Sequence, residues 1–336
     1  MKTLHILVGA QGSGKSKWAH KQLMEDDSII WLESDFIRKE LFSDLKSQDK
    51  QSHDKVFKAM NKRLKQAMSD GEHTIIYDAT NTSRKRRSAL YQIAKKFGYD
   101  VEIDLFLKTY HDLVASQTTR DADKFVKANV IKRTYMSVQP PKIGYDCDRY
   151  VLRQAMNNDN MYLEISKNIM SNHESPYHKE TIFEHTNMTI VNAYRLYKDD
   201  DYYSELNAIA TMHDWGKSFC LTKEKPERAD LKWFYEYNNN QFYRFNNHQN
   251  VSAMYAMNLL LEVDKEVTQN NLIIEGIYQH MQAHKGFNDK YIKKYNMTDT
   301  ELDVINKFAK VDSLSKIKDE YVVKRMNEIR KEVNNV

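Results

Sequence analysis

The sequence predicts an α/β domain with a parallel, doubly wound sheet, followed by an all-α domain. Three observations carry this. A strand, a glycine loop and a helix open the 336-residue chain. Strand and helix signals then alternate to about residue 150. Beyond about 160 only helical periodicity remains, and seven of the chain's 12 histidines collect there. The expected domains are 1–155 and 156–336, parted near the polar run Asn157-Asn158-Asp159-Asn160.

Leu4 to Val8 is a short buried strand, and Lys17 to Leu23 a helix. Between them, Gly9-Ala10-Gln11-Gly12-Ser13-Gly14-Lys15-Ser16 fits G-x-x-x-x-G-K-S. In that context the pattern cradles a triphosphate. Gly9, Gly12, Ser13 and Gly14 let backbone N–H groups face phosphate oxygens, and the helix N-terminus adds partial positive charge. Lys15 would reach the β- and γ-phosphates and Ser16 would hold Mg²⁺, so ATP and Mg²⁺ are expected. Ser28–Leu32, Thr74–Asp78 and Val101–Leu107 are the next strands. Pro140-Pro141 breaks a helix, and Tyr145–Leu152 supplies a last strand. Helices are expected over 182–196, 204–215, 251–261, 271–281 and 300–322, with no convincing alternating strand among them.

The net charge of +4, from 51 basic and 47 acidic residues, is too weak to indicate a nucleic-acid partner, so local patches must decide. Two cysteines outside any C-x-x-C point to a reducing, cytoplasmic setting. Met1-Lys2-Thr3 leads directly into the first strand, leaving no signal peptide. No apolar run approaches the roughly 20 residues of a membrane helix.

Asp35, in Glu33-Ser34-Asp35-Phe36-Ile37-Arg38, follows the second strand, where it can take a proton from an attacking hydroxyl. Arg38, one helical turn on, can grip a phosphate of the acceptor. The alternative is a helix cap at Ser34 or Asp35, with Arg38 on a solvated face. Asp78 ends the third strand, where acidic residues support a magnesium shell. Arg84-Lys85-Arg86-Arg87 opens a helix, either as a solvated face or as a basic patch.

These segments, with the Asp78-Ala79-Thr80-Asn81 turn and Val130 to Met136, resemble the phage-type polynucleotide 5′-kinase domain over about 150 residues. The resemblance implies that Asp35 is the general base and that Arg38 contacts the acceptor phosphate. It also implies that Arg120, in the segment matching the family's lid, clamps the donor phosphates. Here that segment departs from the family, continuing as Asp121-Ala122-Asp123-Lys124.

In the second half, His213-Asp214 ends a helix carrying Leu206, Ile209 and Ala210 on one face. Imidazole beside carboxylate suits a borderline or hard divalent ion. His53-Asp54 and His111-Asp112 lack such a setting and receive no role. The series His185, His213-Asp214, Asp312 resembles the HD phosphohydrolase superfamily. That resemblance implies one or two divalent metals between helices and metal-assisted attack of water on a phosphate ester. It further implies that His248 serves a second metal or the phosphate, that His280 or His284 adds a ligand, and that Lys217 binds the scissile phosphate. The mixed ligand set favours Mn²⁺ or another divalent transition metal over Ca²⁺. His173 and His178 read as linker residues.

Taken together, the halves resemble a bifunctional polynucleotide kinase–phosphatase acting on RNA or DNA ends, RNA ahead of DNA. It would phosphorylate 5′-OH ends and remove a 3′-phosphate or 2′,3′-cyclic phosphate, leaving joining to a separate ligase, with no membrane partner. There is no D-x-D-G-T phosphatase segment and no nucleotidyl-transferase ligase signature. The alternatives are a small-molecule or nucleoside kinase fused to a nucleotide phosphohydrolase, and a nucleotide-sensing or toxin–antitoxin module.

Overall fold

A computed structural model describes residues 2–43, 49–263 and 267–334. The chain forms two compact units, residues 1–160 with 261–263, and residues 161–260 with 264–336.

In the first unit β1 (Thr3–Val8), β2 (Ile30–Glu33), β3 (Thr74–Asp78), β4 (Asp100–Phe106) and β5 (Arg149–Gln154) form a parallel sheet in the order β2-β3-β1-β4-β5. Helices α1 (Lys15–Glu25), α2 (Ser34–Phe42), α3 (Lys50–Asp70), α4 (Arg84–Lys96), α5 (Tyr110–Ala115) and α6 (Ala128–Met136) lie between the strands in sequence. The chain moves outward from β1 to β2, returns to β3, and crosses to β4. The strand order therefore reverses at β1 and β3, where open α/β sheets bind ligands beyond the strand ends. Register puts Leu7 beside Asp78 and Asp78 beside Glu33 in that row. Leu7, Ala19, Ile76 and Phe106 close the core between α1 and the sheet, with Trp18 and Trp31 against it. Each such large apolar side chain contributes about 1.5–3 kcal/mol when fully buried.

The second unit begins within α7 (Asn158–Ser166) and is largely helical. It contains α8 (Ile182–Tyr197), α9 (Tyr203–Met212), α10 (Lys217–Cys220), α11 (Ala229–Tyr237), α12 (His248–Val263) up to residue 260, α13 (Val267–Ala283), α14 (Asp289–Tyr295), α15 (Asp299–Leu314) and α16 (Glu320–Asn334). Capping boxes at Thr181/Glu184 and Thr298/Glu301 start α8 and α15, satisfying N–H groups that have no partner within the helix.

Three expectations need correcting. The helix expected over 204–215 ends at Met212, with His213 as its C-cap, so Asp214 sits in a turn. The helix expected over 300–322 is two, α15 and α16. Tertiary bonds claim the intervening backbone: His185 Nδ1 meets Ser315 O at 3.0 Å, and Ile317 N donates to Glu180 at 3.0 Å. The second half also holds a small two-stranded sheet, β6 (Thr222–Lys223) antiparallel to β7 (Tyr243–Arg244), with α11 between the strands in sequence.

Candidate active sites

The glycine loop leaves β1 at Gly9 and enters α1 at Lys15. Gly14 has φ +105° and Gly12 φ +87°, backbone conformations that favour glycine. Lys15 is buried and donates to Gly9 O at 2.8 Å and Ala10 O at 2.9 Å. The Asp78 turn braces the loop from below. Gly9 N donates to Thr80 O, and the buried Asn81 amide donates to Leu7 O at 2.9 Å.

A cavity of about 470 Å³ over the loop is lined by Lys15, Ser16, Asp35, Arg38, Asp78 and Arg120. The structure thus brings together the expected donor-side and acceptor-side residues. It departs from the capping alternative: the N-cap of α2 is Glu33, no side chain caps the helix, and Arg38 is buried rather than solvated. Asp78 is buried, and its Oδ2 has no hydrogen-bond partner; Ser16 hydrogen-bonds to this carboxyl group. An oxygen-rich corner of Ser16 and Asp78 fits Mg²⁺. Burial raises the Asp78 carboxyl, against the charge of Lys15. Burial likewise lowers the Lys15 ammonium to about 8, against the charge of Asp78. Burial and the charges of Asp78 and Asp35 push Glu33 up to about 7.

The basic run of α4 divides. Arg84 and Arg87 are buried anchors: Arg87 pairs with Asp146 at 2.8 Å, and Arg84 Nε donates to Pro140 O at 2.5 Å. Only Lys85 and Arg86 face outward. Neither reading of the run as one unit describes it. Glu33, Lys108, Lys124 and His53 also line the cavity and were not singled out for it. Their positions at strand ends and loops are the signal that was available for the first three.

In the second unit His185, His213, Asp214, His248, His280 and Asp312 are all buried. They come from α8, the α9–α10 turn, α12, α13 and α15, and they converge. Asp214 Oδ2 lies 3.5 Å from His185 Nε2 and 3.2 Å from His213 Nε2. Asp214 Oδ1 lies 3.3 Å from His248 Nε2 and 3.8 Å from His280 Nε2. Asp312 Oδ1 lies 3.0 Å from His185 Nε2. Each ring's other nitrogen meets a backbone carbonyl: His185 with Ser315, His213 with Ala210, His248 with Phe245 and His280 with Ile277. A carbonyl only accepts, so Nδ1 carries the proton and a neutral ring turns a bare Nε2 inward. Nε2 of His248 and His280 approach to 3.0 Å, and those of His185 and His213 to 3.4 Å. Lone pairs at such distances repel unless a cation or proton lies between them. Both oxygens of Asp214 and Oδ1 of Asp312 are fully buried, facing imidazole nitrogens and, at Asp214 Oδ2, the Lys217 ammonium.

The donor set suits a divalent ion: His185, His213 and Asp214 form one close group, Asp214, His248 and His280 another, and Asp312 lies beside His185. Burial opposes ionisation of Asp214, but the adjacent Lys217 ammonium favours it, and the carboxyl lies well below its usual range. Burial and the neighbouring His248 and His213 keep His280 uncharged.

His284 contacts Asp312 from outside the cluster, and Lys316 meets the same carboxylate at 3.1 Å. The reading of His173 and His178 as linker residues is corrected. Their rings stack at 4.4 Å, and His173 is buried with Nε2 3.0 Å from Lys217 Nζ. Lys217 in turn reaches Asp214 Oδ2 at 2.6 Å. Sequence reasoning missed this because 44 residues separate His173 from Lys217. Among the described residues no helix is long and apolar enough to cross a membrane.

Two solved structures are similar to part of this chain. One, described as the structure of the Pnkp1/Rnl/Hen1 complex, is 24% identical over 36% of this chain and 40% of that one, with a TM-score of 0.32. The other, described as the structure of the Pnkp1/Rnl/Hen1 RNA repair complex, is 22% identical over 41% and 44%, with a TM-score of 0.37. The chain spans less than half the length of either. Residues 4–141 match the family model described as an AAA domain, so the first unit is a P-loop nucleotide-binding domain of kinase-like layout.

Proposed function

We propose that the chain heals nucleic-acid ends, RNA ahead of DNA. Residues 1–155 phosphorylate a 5′-hydroxyl from ATP, and residues 156–336 remove a 3′-phosphate or 2′,3′-cyclic phosphate. One observation carries the reading. The chain holds both a triphosphate cradle sharing its cavity with Asp35 and Arg38, and a carboxylate, Asp214, set between two histidine pairs.

In the first unit Asp35 takes the proton of the 5′-hydroxyl as its oxygen attacks the γ-phosphorus, and ADP leaves. Lys15 and Arg120 balance charge on the transferred group, Ser16 and Asp78 would hold Mg²⁺, and Arg38 grips the acceptor's phosphate. In the second unit His185, His213, Asp214, His248, His280 and Asp312 would hold Mn²⁺ or a similar divalent ion. Bound ions supply Lewis acidity and a water of lowered pKa. Lys217, held by Asp214 and His173, binds a phosphate oxygen. A separate ligase would seal the ends.

The test uses purified protein, γ-labelled ATP and a panel of 5′-OH RNA, DNA and nucleosides, with matched 3′-phosphate and 2′,3′-cyclic ends. Label transfer to 5′-OH RNA with Mg²⁺, and release of 3′-phosphate with Mn²⁺, are expected. Transfer to nucleosides alone would favour the small-molecule kinase; no transfer and no release would sink both halves.

A further inference from the structure

Helix α3 buries Val56, Met60 and Leu64 and exposes Lys55, Lys58, Lys62 and Lys65. The lysine spacing of three, four and three residues keeps them on one face. At about 1.5 Å of rise per residue, successive amines stand roughly 4.5–6 Å apart along the helix. All four line a second cavity, of about 960 Å³, walled by α3 and α4. Arg86 lines it too, and Asp54 is the one acidic residue of its lining among the described residues. None of the four lysines is ion-paired with a described residue.

Phe57 joins this cavity to the one over the phosphate loop, because it lines both. The Arg86 guanidinium lies 4.2 Å over the Phe57 ring, and the His53 ring runs parallel to that ring at 5.8 Å. The junction therefore offers a ring face and a planar cation, the pair on which unstacked bases settle. His53 lines the same cavity as Asp35 and Arg38 and lies within reach of the charges of both Arg38 and Arg86.

We propose that this basic groove binds the single-stranded acceptor beyond its terminal nucleotide. The strand would pass Phe57 and Arg86 and lay its phosphates along Lys58, Lys62 and Lys65. The proposal rests on the polynucleotide-kinase reading above. A backbone of regularly spaced phosphates fits better than an acidic protein segment, because the lysine row continues from the place where the acceptor's first phosphate would sit.

The experiment compares 5′-OH oligonucleotides of one to about eight nucleotides, in wild type and in the triple variant Lys58→Glu/Lys62→Glu/Lys65→Glu. A nucleoside 3′-monophosphate serves as the shortest acceptor. In wild type KM should fall as the acceptor lengthens. In the variant KM for the longest acceptor should rise at least about tenfold, while kcat and KM for the mononucleotide stay within about twofold. The salt slope of log KM should flatten by about 2, since each lost single-strand phosphate contact removes about 0.7. The unchanged mononucleotide reaction shows that the variant is folded. Should the variant lose that reaction as well, single substitutions Lys62→Gln and Lys65→Gln take its place, with the same length dependence read. If both proteins label long and short acceptors with the same KM, the groove does not bind the acceptor and an acidic protein ligand takes its place. If wild type labels no acceptor at all, the kinase reading falls, and this proposal with it.

Discussion

The phosphate loop and the histidine cluster are opposite ways to build a site. The first is one contiguous segment, residues 9–16, shaped by backbone conformation and the start of α1. The second gathers side chains from His185 to Asp312 on five separate stretches of chain, each ring aimed by a bond from Nδ1 to a carbonyl. A loop site is held by local geometry, so damage should stay local. A cluster site is held by packing, so damage should spread from residues that never touch substrate.

The widest effect is expected at the shared carboxylate. Asp214→Ala removes the carboxylate that both histidine pairs share, so on the proposed reading bound metal and 3′-end hydrolysis should disappear together while ATP-dependent phosphorylation continues. Elemental analysis with both assays checks this. Metal content unchanged in Asp214→Ala would break the comparison, since the cluster would then not depend on its centre.

In the loop site, Asp35→Ala should lower 5′-phosphorylation about 10²–10⁴-fold, the usual cost of losing an oriented proton acceptor, with 3′-end hydrolysis unchanged. Lys15→Ala should have the same selectivity. Normal kinase turnover in Asp35→Ala removes it from the base role.

Gly216→Ala asks whether damage spreads. A Cβ there would sit 2.3 Å from His248 O and 2.8 Å from Ser252 N, so the first turn of α12 must move. That turn carries His248. Metal affinity should fall about 10–100-fold, the range seen when a ligand's support is disturbed. A metal titration reads this, and unaltered affinity would mean that the cluster tolerates backbone shifts after all.

The smallest effect is expected at His173. Its Nδ1 faces Glu180 O at 2.8 Å, and its Nε2 accepts from Lys217. His173→Ala should slow 3′-phosphate release about tenfold with metal content unchanged, and His173→Gln should recover part of the rate by restoring an acceptor. A matching loss of metal would make His173 part of the ion site instead of a support for Lys217.

The glycine loop and the strand–helix alternation could be read from residues alone because their geometry is set within a few positions. Gly12 and Gly14 need only their own φ values, and a parallel sheet follows from the β/α alternation of the first half. The same local logic misjudged α15 and α16. Helical periodicity runs through Ser315 to Asp319, but bonds to the 179–185 segment break it, and those partners lie about 130 residues away.

Chain order alone therefore determined the fold class and the glycine-loop pattern, and it singled out the histidines and aspartates that converge in the second unit. Folding decided the rest. It turned Arg84 and Arg87 inward and left Arg86 on Phe57, brought His173 to Lys217, and divided the two oxygens of Asp214 between two pairs of imidazoles. The reason is range. Backbone preference and periodicity act over a few residues. Which of several equally basic or equally imidazole-bearing side chains shares a cavity depends on packing between elements far apart in sequence.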